Sequence, residues 1–136
     1  MSLGFDAGPY EKNKSRTIAV DVTAAANAGS DTTLATVVNQ PCIITNVVIL
    51  ANSAQTGDLT TCPTYGGAGK VNTFNSPANA TQANLDAADK QVWWDGFVAL
   101  KVGKTIVMEH NGTGATALDL TVYITYYPVE NGGYLV

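Results

Sequence analysis

Between residues 118 and 127 apolar and polar side chains alternate without interruption. Leu118, Leu120, Val122, Ile124 and Tyr126 fall on one side of an extended chain, and Asp119, Thr121, Tyr123, Thr125 and Tyr127 on the other, because successive strand side chains point to opposite faces of a sheet. A helix would scatter the same residues around its circumference. The segment therefore predicts a strand of an antiparallel sheet, with one face in a core and the other at the surface.

The rest of the chain is compatible with that strand. Residues 17–22 alternate, Ile18, Val20 and Val22 lying opposite Ala19 and Asp21, and residues 34–38 form a second short apolar run. Gln40-Pro41 interrupts the ladder, since proline offers no N–H. Residues 42–51 (CIITNVVILA) are apolar on both faces, which predicts a central strand covered on both sides and hence a second sheet. Further strands are expected at 58–61, 70–74, 91–100 and 105–110, and Asn111-Gly112-Thr113-Gly114 carries a turn signal. Asp95-Gly96 fits a tight hairpin turn or a bulge. The bulge is preferred, because residues 92–94 alone are a short strand to close on. Residues 75–90 show no clear period, and 81–89 are compatible with one or two helical turns.

Short strands at this spacing, without a helix of ordinary length, predict an all-β protein. The expected architecture is an antiparallel two-sheet sandwich, an eight-stranded jelly roll ahead of an immunoglobulin-like arrangement. Residues 1–16, broken by Gly4, Gly8 and Pro9, read as an extended N-terminal arm, residues 17–130 as the sandwich and residues 131–136 as a C-terminal tail.

Composition narrows the function. Charged residues make up 13% of the chain, about half the usual share, replaced by Thr, Asn, Ala, Gly and Ser. Such a surface desolvates cheaply against another protein. A net charge of −4 and a pI near 4.6 argue against nucleic acid as a partner; the one basic cluster, Lys12, Lys14 and Arg16, reads as a solvated arm. Residues 1–16 hold no apolar run of secretory-signal length, and no stretch of about 18 apolar residues predicts a membrane span. Cys42 and Cys62 are expected as free thiols in a reducing compartment, with a disulfide between them as the alternative.

Catalytic equipment is not expected. Gly66-Gly67-Ala68-Gly69-Lys70 lacks the phosphate-loop glycine at Thr64 and the hydroxyl at Val71, and Gly103-Lys104-Thr105 has Val98 where glycine is needed. The single histidine, His110, reads as a surface residue rather than a base, and no serine sits in a nucleophile-elbow context. Two cysteines without a histidine at ligand spacing do not make a zinc site, and no cofactor is expected.

Aromatic residues are the more informative set. Trp93 and Trp94 are adjacent on a strand, so their rings face opposite ways; which one is exposed stays open. Tyr123 and Tyr127 share the face away from Leu120 and Val122. With Phe5 and Tyr10 of the arm and Tyr134 and Leu135 of the tail, they are the candidate interface residues, since exposed aromatics anchor protein interfaces and also form platforms on which pyranose rings stack.

Three segments together resemble the small jelly-roll virion proteins of tailed bacteriophages, of the head-decoration and fibre-associated type. They are TIAVDVTAAANAGSDTTLATVV from Thr17, CIITNVVILANSAQTGDLT from Cys42 and QVWWDGFVALKVGKTIVMEHNGTGATALDLTVYITYYPV from Gln91. In the last, an aromatic strand, a Leu-x-x-Gly turn at Leu100 and Gly103, a Thr-Ile strand and a Gly-Thr-Gly hairpin lead to a long Tyr-rich strand. The similarity is one of pattern and covers about residues 17–128. It implies a non-enzymatic structural protein, trimeric, made in the host cytoplasm and fixed to other virion proteins. The arm is short and lacks fibre repeats, which favours capsid decoration or head completion. The alternative is a carbohydrate-binding jelly-roll module that takes glycans on its exposed aromatics.

Overall fold

The computed structural model describes residues 11–136; Phe5, Tyr10 and most of the expected arm lie outside the described residues. The strands are β1 (Arg16–Val22), β2 (Thr32–Val38), β3 (Cys42–Ala51), β4 (Leu59–Thr61), β5 (Thr64–Gly66), β6 (Asn72–Thr73), β7 (Gln91–Leu100), β8 (Thr105–Met108), β9 (Asn111–Gly112), β10 (Leu120–Pro128) and β11 (Tyr134–Leu135). Single 3-10 turns occur at Ala68–Lys70 and Gln82–Leu85. No helix among the described residues is long and apolar enough to cross a membrane.

All pairings are antiparallel. One sheet has the order β1-β10-β3-β7 and the other β11-β2-β8-β5-β6, with β4 and β9 forming a separate pair. Successive long strands alternate between the sheets, so that 1-10-3-7 faces 2-8-5-6. That is the strand order of a jelly roll, in which every long strand returns to the opposite layer. The expected all-β sandwich is the observed architecture.

The core lies between the sheets. Val22, Ile44, Val47, Ile49, Val122, Ile124 and Tyr126 descend from the first sheet and meet Leu34, Val37, Ile106 and Met108 from the second, all buried. The alternation in β10 holds: Leu120, Val122, Ile124 and Tyr126 are inward. In β3 the phase slips midway, because the register shifts at Thr45 against both neighbours. Cys42 and Ile44 point inward before the slip, Val47, Ile49 and Ala51 after it. A strand read as apolar on both faces is therefore central within its sheet, but among the described residues no second layer covers its outer side, where Ile43, Val48 and Leu50 are half-buried.

The C-terminal tail, residues 131–136, is docked on the sandwich: β11 pairs with β2 through Tyr134 opposite Val38 and Leu135 opposite Val37, and Val136 exchanges backbone hydrogen bonds with Thr36. The chain before β1 is tethered as well, Asn13 N–H donating to the Pro128 carbonyl and Lys12 N–H to Asn131 Oδ1 (both 2.9 Å). Thr64–Gly66, expected as loop, forms β5. The Asn111-Gly112 turn signal instead forms β9, and the chain turns just after it. The helical turn expected within residues 81–89 is present, a 3-10 turn at Gln82–Leu85 with the Thr81 side chain accepting from Asn84 N–H.

Candidate functional site

The outward face of the β1-β10-β3-β7 sheet carries the surface aromatics. Its registers align Ala19 with Tyr123, Tyr123 with Val48 and Val48 with Trp93, one continuous row across four strands. The next row places Asp21, Thr121, Leu50 and Gln91 side by side, and Tyr127, Ile43 and Ala99 form another towards the far end. The charges among the outward residues of these strands are Asp21 and Asp95. Each is held by a neighbour, Thr121 Oγ1 donating to Asp21 (3.0 Å) and Asn46 Nδ2 to Asp95 (2.6 Å).

Adjacent tryptophans on β7 divide between the layers as strand geometry requires. Trp94 turns inward and meets Phe74 edge to face, with ring centroids 4.8 Å apart. Gly96 permits this, since a Cβ there would lie 2.5 Å from the Trp94 ring. Trp93 turns outward and is 60% exposed. Asp95-Gly96 is a bulge rather than a turn: β7 runs unbroken, Asp95 facing Asn46 and Val98 facing Ile44, so that Gly96 and Phe97 both stand against Thr45. Asn46 Nδ2 fixes the bulge by donating to the Trp94 carbonyl (3.1 Å) as well as to Asp95.

Of the candidate interface residues, Trp93 and Tyr123 stand together in one row, Tyr123 being 36% exposed. Tyr127 is on the same face and half-buried. Tyr134 is half-buried in β11, and Leu135 is buried in the chain's own core, so the apolar end needs no partner to cover Leu135. The most exposed aromatic among the described residues, Phe97 at 78%, was not among the candidates. Its signal was available: with β7 continued through the bulge, Trp93, Asp95, Phe97 and Ala99 share one phase.

Beyond the β7 edge an open groove of about 530 Å³ is lined by Asn79, Asn84, Lys90, Gln91, Val92 and Trp93. Sequence reasoning missed it because residues 79–84 carry no periodicity that would place them.

His110 is not at the surface. It is 7% exposed, with Nε2 2.6 Å from Thr32 Oγ1 and Nδ1 buried without a hydrogen-bond partner among the described residues. Burial lowers its pKa below the ordinary 6.5, and the Asp31 carboxylate opposes that shift. The unfolded chain thus takes up this proton at higher pH than the folded one, so stability falls as pH drops below about 6.5. In His110→Gln the urea midpoint is expected to lose that slope, while the slope caused by carboxylates at lower pH remains.

Lys70, in the glycine-rich segment, is paired with two carboxylates. Its ammonium contacts Glu109 at 2.6 Å and Asp31 at 3.0 Å, and lies 5.6 Å from the Tyr65 ring centre. Those hydrogen bonds raise the Lys70 pKa and lower that of Glu109.

The cysteines are free and buried. Desolvation pushes Cys42 up to about 11 and Cys62 up to about 12, and thiolate is the reactive form. A disulfide-exchange reagent near pH 8 is expected to find neither thiol in the folded protein and both after denaturation; prompt labelling of the native chain would contradict this.

Compared with family models, curated proteins and solved structures, the chain gives no match. Its class is set by its own topology, an all-β jelly-roll sandwich with an aromatic outer sheet face.

Proposed function

We propose that the protein is a structural component of a phage virion, a capsid-decoration or other virion-associated protein that works by protein–protein contact and assembles as a homotrimer. The observation that carries the reading is the row Ala19, Tyr123, Val48 and Trp93, with Phe97 exposed on the same face of the sheet beyond the polar row Thr17, Thr125, Asn46 and Asp95. Contiguous apolar surface on a folded domain marks an interaction site, and aromatic anchors with few charges to desolvate suit a protein partner. The jelly-roll strand order agrees with the phage-protein resemblance of residues 17–128. Its task on this reading is contact rather than chemistry, performed on the particle after synthesis in the host cytoplasm.

Light scattering on a sizing column tests the assembly. The full chain is expected at three times its 14.2 kDa mass, and a Phe97→Asp/Tyr123→Asp variant as a folded monomer, because two buried charges without partners oppose association. A parent protein that runs as a monomer removes the trimer. A variant that still decorates phage particles removes this face from the contact.

A further inference from the structure

We propose that the groove between the edge of β7 and residues 79–84 is a binding site for a neutral saccharide, with Trp93 as the stacking platform. The proposal goes beyond the docking role of the sheet face; the two share Trp93, which ends the outward row and lines the groove, so a protein seated over that indole would close the groove. Four observations support it.

The groove is open, and its volume of about 530 Å³ lies in the range of small-molecule sites. One wall is an indole with most of its surface in water, a flat apolar group suited to the C–H face of a pyranose. The other lining groups are mainly amides. The Asn79 and Gln91 side chains and the Trp93 Nε1–H make no hydrogen bond to the described residues, and Asn84 donates through Nδ2 to the Asn79 carbonyl (2.8 Å) while its Oδ1 stays unused. An amide offers donors and an acceptor side by side, which matches sugar hydroxyls, each both donor and acceptor.

The fourth observation concerns charge. Lys90 is the one cation of the lining, and its ammonium is held 2.7 Å from Asp86 and 3.2 Å from the Ala83 carbonyl. No unpaired cation therefore awaits a phosphate or carboxylate, and the ligand class the groove fits is uncharged and hydroxyl-rich. The Asn84 amide, fixed by its bond to Asn79, and the strand-borne Trp93 and Gln91 hold the groove's shape before a ligand arrives, which limits the ordering cost of binding.

The test is saturation-transfer NMR and tryptophan fluorescence on the full chain, with a panel of glucose, galactose, mannose, N-acetylglucosamine and their β- and α-linked trisaccharides at millimolar concentration. At least one is expected to bind, with transfer concentrated on its ring C–H protons. Trp93→Ala is expected to weaken that binding at least about tenfold, and Asn79→Ala and Gln91→Ala severalfold each. Tyr123→Ala, altered on the sheet face away from the groove, is expected to leave it unchanged. A flat response across the panel overturns the proposal, and so does saccharide binding that survives Trp93→Ala. Loss of the trimer in Phe97→Asp/Tyr123→Asp with binding retained would separate the two surfaces, so failure of one reading does not hide in the other.

Discussion

Asn75→Ala is expected to destabilise the folded chain by about 3 kcal/mol, a large share of the roughly 5–15 kcal/mol that holds a domain of this kind together. Asn75 follows β6 and is buried with Thr64. Thr64 Oγ1 donates to Asn75 Oδ1 at 2.6 Å and accepts from Asn75 N–H at 3.0 Å, and Asn75 Nδ2 donates to the Val47 carbonyl at 3.2 Å. Val47 is in β3 and Thr64 in β5, so this one amide ties the two layers through the core. Alanine leaves the Thr64 hydroxyl proton without its acceptor and the Val47 carbonyl short of a donor, both away from water, and adds a cavity. The measurement is the urea midpoint at constant m-value. Thr64→Val added to Asn75→Ala is expected to cost less than the sum of the singles, because the second change removes the group the first left unpaired. A loss below about 1 kcal/mol for Asn75→Ala would mean the network contributes little beyond an ordinary hydrogen bond.

Gly112→Ala is the second large effect, expected at about 2–3 kcal/mol. A Cβ at this position would lie 2.5 Å from the carbonyl oxygens of both Ala26 and Asp58. These are backbone atoms of two different segments, pinned nearby by the Ala25–Ala117 bridge and the β4–β9 pairing, so neither yields as a flexible side chain would. Gly57→Ala is the control. Nothing lies within 4 Å of its Cβ, and the change is expected to be neutral or slightly stabilising through the unfolded chain. Equal melting temperatures for the two variants would show that the crowding at Gly112 relaxes.

What the sequence disclosed, and what it did not, follows from the range over which each feature is determined. The strands Gln91–Leu100 and Cys42–Ala51 are legible to the residue because β-branched, aromatic and other apolar side chains dominate both segments, interrupted only by Asp95-Gly96 in one and Asn46 in the other. The inward set of β10 is legible because alternation is a property of one strand alone. Three-residue β5 is not, since Thr64-Tyr65-Gly66 becomes a strand only where β8 and β6 flank it. The burial of His110 depends on Thr32 and the chain around Asp31, far away in sequence. The site divides in the same way: the opposition of Trp93 and Trp94 is local, but which of them faces water is decided by Phe74. The groove is least legible, as its two sides join residues 79–84 to β7 through no pattern either side carries.

The pairing of β1 with β10 also governs how the protein responds to pulling. The two strands are antiparallel, with Arg16 opposite Tyr126 and Val22 opposite Leu120, so tension applied just before β1 and just after β10 acts at the same end of the ladder. The hydrogen bonds are then loaded one after another, as in a zipper, rather than sharing the force as they would in shear. The Asn13–Pro128 and Lys12–Asn131 contacts take the strain first, and each bond that follows is worth only about 1 kcal/mol.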